Sequence, residues 1–119
     1  MKTTSAEHAT AIARAEQYLQ GTGLRVLDRD WHYGDGRLDV IAADSQHVLV
    51  VCVVRTMRRG ARQRPLDAIP KTRVRSKRRL ATIWMREHGV RYDQIRIDVF
   101  GLLHEGTSGY TIEHIKAVG

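Results

Sequence analysis

Cysteine, proline and aromatic residues are scarce in this sequence, and long apolar runs are missing. Its 119 residues include one cysteine, two prolines and one phenylalanine. A single cysteine excludes an internal disulfide and a zinc site built from several thiolates, and it suits a reducing cytoplasm. No apolar run approaches the roughly 20 residues of a membrane span, and the amino terminus lacks the apolar core of a signal peptide. We therefore expect a cytoplasmic protein that has no membrane partner.

Several motifs of nucleotide and metal chemistry are absent as well. The sequence contains no Walker loop, no G-x-G-x-x-G and no H-E-x-x-H. His32 has no second histidine or cysteine at metal-ligand spacing, so it is weak evidence for a zinc site. No familiar nucleotide or zinc site is therefore indicated.

Positive charge is concentrated in one window. The formal net charge is +7, and residues 55–79 alone contribute +10, because they hold eleven basic residues and a single acid, Asp67. A one-sided field of this kind attracts polyanions, although a solvated helix face is the alternative interpretation. We expect DNA as the partner, held through phosphate contacts to Arg55, Arg58, Arg59, Arg62, Arg64, Lys71, Arg73, Arg75, Lys77 and Arg78.

Hydrophobic periodicity predicts one domain over residues 1–119, with helices and strands in the order αβββαββ. The predicted helices span Thr4 to Gln20, with capping-box spacing between Thr4 and Glu7, and Lys71 to His88. The first and the last two strands are expected at Leu24–Asp30, Gln94–Leu103 and, as an edge strand, Tyr110–Val118. Thr56–Pro70, with its glycine and two prolines, is predicted to be a mobile loop.

The segment from Gly36 to Arg55 predicts two neighbouring strands joined by a turn at residues 43–46. Its two-residue period places Leu38, Val40 and Ala42 on one face, and Arg37, Asp39 and Ile41 on the other. The β-branched run from Val48 to Val54 is typical of a strand covered on both faces. An ionised carboxylate is expensive to bury in such surroundings, so Asp39 is either paired or functional.

The second predicted helix carries an electrostatic conflict. Its first half, KTRVRSKRR, has cations nearly all round, at the end of the helix where the backbone dipole is already positive. A phosphate docked at this end would relieve the conflict, because backbone N–H groups and cations would both point at it.

Four segments resemble the YraN-like family of uncharacterised proteins, which have the restriction-endonuclease (PD-(D/E)XK nuclease) fold. RVLDRDWHY, GRLDVIAAD, VVCVVRT and IRIDVFG are similar in spacing and hydrophobic pattern to the family's R-N-W-R, G-E-[IL]-D-[LV]-I-A, V-F-V-E-V-K-x-R and R-x-D-V. The resemblance covers roughly residues 8–103. It implies an α/β domain with a restriction-endonuclease-like mixed sheet of five strands flanked by helices.

The resemblance also implies where a catalytic site would lie. In the family, an Asp and then Glu-x-Lys on the strand pair hold a divalent metal and activate a water. The Asp is retained as Asp39. The other family positions are substituted: Arg37 and Cys52 stand in place of glutamates, Val54 in place of the lysine, and Ile12 in place of a helix-borne glutamate.

These substitutions lead to a first hypothesis, a nuclease-fold protein that binds nucleic acid without efficient cleavage and without a cofactor. Mg²⁺ needs several carboxylate oxygens, and a neighbouring Arg37 would repel it. Arg37 and Asp39 are expected to form an ion pair instead. Cys52 lies among valines, where burial makes a thiol inert.

Two further hypotheses remain open. The second hypothesis is a junction-resolvase-like endonuclease whose Mg²⁺ or Mn²⁺ is held by Asp39 with Glu16 or Asp98. Simple arginine partners, Arg96 in the case of Asp98, are the other interpretation of those two acids. The third hypothesis is a protein-interaction subunit that uses the basic face, or a homodimer paired through the fifth strand. Trp31 and Tyr33, beside the first hairpin, would either stack on bases or cover the end of a core.

Overall fold

The computed structural model describes residues 5–58, 69–105 and 109–118, and it confirms the predicted order αβββαββ. Within these ranges, no helix has the length and hydrophobicity needed to cross a membrane. The elements are α1 (Ser5–Gln20), β1 (Arg25–Tyr33), β2 (Gly36–Ala43), β3 (Val48–Arg58), α2 (Lys71–His88), β4 (Gln94–Glu105) and β5 (Gly109–Ile115).

The strands form one mixed sheet in the order β1-β2-β3-β4-β5. Neighbouring strands are antiparallel except β3 and β4, which are parallel and are connected through α2. The last strand, β5, lies at an edge of the sheet, as the sequence predicts. The five-stranded mixed sheet with flanking helices is therefore confirmed.

Each face of the sheet is covered by one helix, which gives two separate apolar cores. Along β3, Leu49, Val51 and Val53 pack on the α2 side, whereas Val50, Cys52 and Val54 pack on the α1 side. All six side chains are buried. The prediction that this β-branched run is covered on both faces is confirmed.

The ends of α2 lie where the sequence places them. Pro70 occupies the N-cap position and Gly89 ends the helix in the left-handed conformation, with φ 62°. This positive φ suits glycine, which has no Cβ to clash. Pro70 makes no side-chain capping hydrogen bond, and the first turn contains no acidic residue. The beginning of α2 therefore has no anionic group of its own helix to balance its dipole.

Strands β1, β3 and β4 extend beyond their predicted ends, β4 to Glu105, whereas β5 ends at Ile115 instead of Val118. Because β1 continues to Tyr33, Trp31, His32 and Tyr33 belong to the strand and only Gly34 and Asp35 form the turn. The residues Thr56–Arg58, predicted as the start of a loop, extend β3 because they pair with 102–104 of β4. Tertiary pairing here overrides local composition. Thr4 and the rest of the predicted loop up to residue 68, with Arg59, Arg62 and Arg64, lie outside the described residues.

The strands β2 and β3 are paired only along the second half of β2. Their pairing extends from Ala43 with Leu49 only as far as Val40 with Cys52. Beyond that point Leu38 packs on the α2 side, although Val40 packs on the α1 side. The regular alternation predicted for β2 is therefore interrupted at Asp39, which lies where the two strands diverge.

Candidate nucleic-acid interface

Asp39 lies at this divergence with both carboxylate oxygens engaged. The backbone N–H of Val54 on β3 donates to Oδ2 at 2.8 Å. Nε2 of His8, on α1, lies 2.9 Å from Oδ1, and because a carboxylate only accepts, the imidazole N–H is the donor. Nε of Arg37 lies 3.1 Å from the same oxygen. The expected ion pair between Arg37 and Asp39 is therefore present.

These contacts keep Asp39 ionised although its side chain is only 3% exposed. Burial alone would raise the pKa of Asp39, because it penalises the charged form. The hydrogen bonds from His8 and from the Val54 N–H, together with the charges of His8 and Arg37, outweigh burial and hold the pKa below its ordinary value. The carboxylate is thus a fixed negative charge at the junction of α1, β2 and β3.

The other three positions that the resemblance aligns with catalytic residues of the family are buried in the α1-side core. Val54 contributes its backbone N–H to Asp39, and its side chain is buried in the α1-side core. Cys52 is fully buried in that core, as expected, and Ile12 is part of it too. Burial, and after it the Asp98 carboxylate, raises the pKa of the Cys52 thiol far above the ordinary range. The catalytic correspondence of these positions stays a prediction.

Lys77 of α2 approaches the same junction. Its Nζ donates a 2.5 Å hydrogen bond to the backbone carbonyl of Arg37. Burial is the largest cause that lowers the pKa of Lys77. The charges of Arg37, Arg73 and Arg55 lower this pKa further, whereas the charge of Asp39 raises it. The ammonium group therefore interacts electrostatically with three guanidinium groups and one carboxylate.

Arg55, which follows Val54 on β3, interacts with the same charged residues as Lys77. Burial is the largest cause that lowers the pKa of Arg55. The charges of Arg73 and Arg37 lower this pKa further, whereas the charge of Asp39 raises it. We name Arg37, Arg55, Arg73 and Lys77 the cationic cluster. Arg73 is exposed and the other three are half-buried, so the cluster is open to solvent beside the first turns of α2.

The remaining predicted phosphate contacts divide into two groups. Lys71 and Arg75 are exposed on α2, consistent with a binding role. Arg78 instead donates from Nη1 to the carbonyl of Ile95 at 2.8 Å, so its guanidinium holds α2 against β4. The side chain of Arg58, like those of Arg59, Arg62 and Arg64, lies outside the described residues.

The two acids proposed as substitute metal ligands have arginine partners. Oε1 of Glu16 lies 2.6 Å from Nη1 of Arg29. Asp98 is fully buried and accepts two 2.9 Å hydrogen bonds from Arg96, as expected. In the described ranges, no three His, Cys, Asp or Glu side chains come together as a metal would require.

Asp98 has two further partners that the sequence did not indicate. His114 of β5 lies 2.8 Å from Oδ2, and the backbone N–H of Ala117 donates to Oδ1 at 2.9 Å. Burial alone would raise the pKa of Asp98, but the hydrogen bonds from Arg96, Ala117 and His114 lower it below its ordinary value. This carboxylate joins β4 to β5 and to the chain that follows it.

His8 is a contact of Asp39 that sequence reasoning missed. It precedes Ile12 by one helical turn, so the two residues share a face of α1. Because the resemblance aligns Ile12 with the family's helix-borne glutamate, a polar side chain four residues earlier was the available signal. His32, in contrast, is exposed and lies 3.0 Å from Asp30, within its own strand.

Comparison with known proteins agrees with the resemblance seen in the sequence. The model of the uncharacterised protein family UPF0102 matches residues 13–102. A UPF0102 protein of Mycolicibacterium gilvum is 39% identical over 107 residues, which cover 88% of this chain and 86% of the relative. A UPF0102 protein of Streptomyces coelicolor is 38% identical over 106 residues, covering 87% and 81%.

A solved structure, that of Pyrococcus furiosus SfsA in complex with Ca²⁺, shares 18% sequence identity with a TM-score of 0.34. The match covers 93% of this chain and 61% of the SfsA chain. At this TM-score the likeness supports neither a shared fold nor a shared ligand. The match to the family model and the identity of the two relatives, in contrast, extend over most of the chain, and this protein therefore belongs to the UPF0102 family, in agreement with the YraN-like resemblance of its sequence.

Proposed function

We propose that this protein is a restriction-endonuclease-like domain that binds nucleic acid, chiefly DNA, through phosphate contacts and does not cleave it efficiently. The observation that carries this proposal is the cationic cluster. Cations from β2, β3 and α2 interact electrostatically with Asp39 or with one another, where the sheet opens beside the first turns of α2. This is a surface whose charge suits a row of phosphates.

The cations of the cluster repel one another. Arg73 and Lys77 are one turn apart on α2 and repel each other, and each also repels Arg55. The helix dipole adds to the positive potential, because the first turn of α2 has no acid and no side-chain cap. A bound phosphate would reduce all of these repulsions together, which supports a polyanion as the ligand.

The donor atoms at Asp39 do not suit a catalytic metal. Mg²⁺ and Mn²⁺ prefer several oxygen ligands, but Cys52 offers a buried thiol and Val54 a hydrocarbon. Both oxygens of Asp39 already accept hydrogen bonds, and Oδ1 lies within 3.1 Å of both His8 and Arg37. The residues at Asp39 therefore do not fit a catalytic metal, and the proposed membership in the nuclease superfamily rests on the sequence resemblance together with the order of elements.

Salt dependence of DNA binding tests the proposal. If about five to eight phosphates are engaged, log K falls against log salt with a slope of about −4 to −7. Arg73→Gln should make the slope shallower by about one unit, whereas Arg86→Gln, exposed in the last turn of the same helix, should leave it unchanged. The absence of binding at about 50 mM salt, or a flat dependence, would contradict the proposal.

A cleavage assay separates binding from the alternative of a metal-dependent endonuclease. Wild type and Asp39→Ala are incubated with DNA and either Mg²⁺ or Mn²⁺. We expect the same background in both proteins. Cleavage by wild type that disappears in Asp39→Ala would overturn the non-cleaving part of the proposal and favour the endonuclease. Light scattering during the same DNA titrations would detect the third alternative, a homodimer paired through the edge strand β5.

A further inference from the structure

The end of the β1–β2 hairpin carries two stacked aromatic rings. The ring centroids of Trp31 and Tyr33 are 5.8 Å apart and the ring planes differ by 18°. Trp31 is partly buried and packs against the α2-side core. Tyr33 is 45% exposed, so part of its ring is open to solvent. The outer ring is thus supported from beneath by the inner ring.

The hairpin backbone that carries this aromatic pair lies next to the cationic cluster, because His32, between the two aromatic residues, pairs with Arg37. Tyr33 is opposite Gly36 in the hairpin, and Gly36 is followed directly by Arg37. A Cβ at Gly36 would lie 2.8 Å from a methyl carbon of Leu80, so the hairpin lies directly against α2. Leu80 is three residues after Lys77, which holds the Arg37 carbonyl. Arg37 and Lys77 thereby fix the end of the hairpin beside the site proposed for phosphates.

We infer that Trp31 and Tyr33 form a stacking platform for one unpaired base, so that the ligand contains single-stranded nucleotides. This inference rests on the proposed function, because the phosphates of the same strand would be held by the cationic cluster. An exposed aromatic face beside cations is the combination that binds single strands, since every base has a π face. The platform is already assembled, because Trp31 packs against the core and little ordering of Tyr33 is needed.

The platform also selects against an intact duplex. In a duplex both faces of each base are covered by its neighbours, so a base must be unstacked before it can reach Tyr33, at a cost of about a few kcal/mol. Single strands, flaps and frayed ends present a base face without that cost. The stacking chemistry is common to DNA and RNA, and the sugar is left for the experiment to distinguish.

Fluorescence anisotropy with three labelled probes tests this inference. The probes are an oligothymidine of about 20 nucleotides, an abasic strand with the same number of phosphates, and a duplex of that length. One stacked base should make the wild-type protein bind oligothymidine about 5–150-fold more tightly than the abasic strand at the same salt. This comparison needs no variant, so it remains valid if a substituted protein folds poorly.

Variants assign the effect to the platform. Tyr33→Ala should abolish the preference for oligothymidine over the abasic strand, and Tyr33→Phe should keep it because the ring remains. Tyr92→Ala is the matched control, since Tyr92 stacks on His47 with ring centroids 4.7 Å apart, away from the β1–β2 hairpin.

The outcomes distinguish the two proposals. Equal wild-type affinity for oligothymidine and the abasic strand, or a preference that survives in Tyr33→Ala, would overturn the platform and leave phosphate binding intact. Tighter binding of the duplex than of oligothymidine would also overturn it. No binding to any of the three probes would overturn the proposed function itself. A ribose version of the strand would show whether the sugar matters.

Discussion

The backbone N–H of Val54 donates to Oδ2 of Asp39 at 2.8 Å, across the gap where β2 leaves β3. Strand pairing between β2 and β3 ends at Val40 with Cys52, so the N–H of Val54 has no ladder partner on that side. The carboxylate replaces the missing strand carbonyl. Asp39 therefore stabilises the diverged sheet as well as lying beside the cationic cluster.

Removing this carboxylate should destabilise the fold. Asp39→Ala leaves the Val54 N–H buried without an acceptor and Arg37 without its ion-pair partner, and we expect the free energy of unfolding to fall by roughly 2–4 kcal/mol. Asp39→Asn keeps an acceptor oxygen and should lose less. Urea denaturation measures both, with Asp35→Asn in the exposed hairpin turn as the control. Wild-type stability of Asp39→Ala would show that the contact is dispensable.

Two buried carboxylates should make the protein sensitive to acid. The pKa values of Asp39 and Asp98 are held below their ordinary value of 3.8 in the folded state. The unfolded chain therefore takes up these protons first as the pH falls, and the stabilisation that they give is present above about pH 4 and is lost below it.

Urea midpoints measured between about pH 3 and pH 7 check this expectation. The stability difference between wild type and Asp98→Asn should be largest near neutral pH and should shrink below about pH 4. Asp93→Asn, at an exposed position, should follow the wild-type curve. A difference that does not depend on pH would mean that Asp98 acts through packing and not through its charge.

Stability and binding should change in opposite directions at Arg73. Arg73→Glu replaces a repulsion with Lys77 by an attraction and places an acid near the start of α2, which together should stabilise the fold by about 0.5–1.5 kcal/mol. The same substitution should weaken DNA binding. Arg86→Glu, in the last turn of α2, puts the negative charge at the wrong end of the dipole and should destabilise the protein slightly without affecting DNA. Tighter DNA binding by Arg73→Glu would contradict the interface.

The Cys52 thiol should be unreactive toward thiol reagents in the folded protein. Its thiol is fully buried and its pKa is raised by burial, so a thiol-reactive disulfide reagent at about pH 8 should label native protein at least a thousandfold more slowly than protein in urea. The sequence has no other cysteine, so the signal is unambiguous. A Ser45→Cys, Cys52→Ala double variant, with its thiol in an exposed turn, is the rapid control. Fast labelling of native wild type would mean that the α1-side core opens readily.

Features with local causes were predictable from the sequence. Pro70 and Gly89 mark the ends of α2 through their own backbone preferences, and the valine run of β3 indicates a strand buried on both faces. The ion pair of Arg37 with Asp39 also follows from sequence, because residues two apart on a strand point in the same direction.

Features that depend on residues far away in the chain were not predictable from the sequence. The strand conformation of 56–58 depends on β4, and the interruption of β2 depends on where its pairing with β3 ends. His8 reaches Asp39 only because α1 packs over the diverging strands, a fact that no window around residue 8 contains. The contact of Lys77 with the Arg37 carbonyl likewise joins elements far apart in the chain. Such placement is decided by packing of the whole domain.

The parallel ladder between β3 and β4 has a consequence for how the chain folds. Each register pair is separated by 46 positions, from Val48 with Gln94 to Arg58 with His104. The strands β3 and β4 therefore cannot pair until the intervening chain has closed a long loop, which costs conformational entropy. Formation of α2 shortens this loop and so lowers that cost. The basic residues of 55–79 lie largely within the loop that this late pairing closes. Charge repulsion inside that loop would slow refolding at low ionic strength.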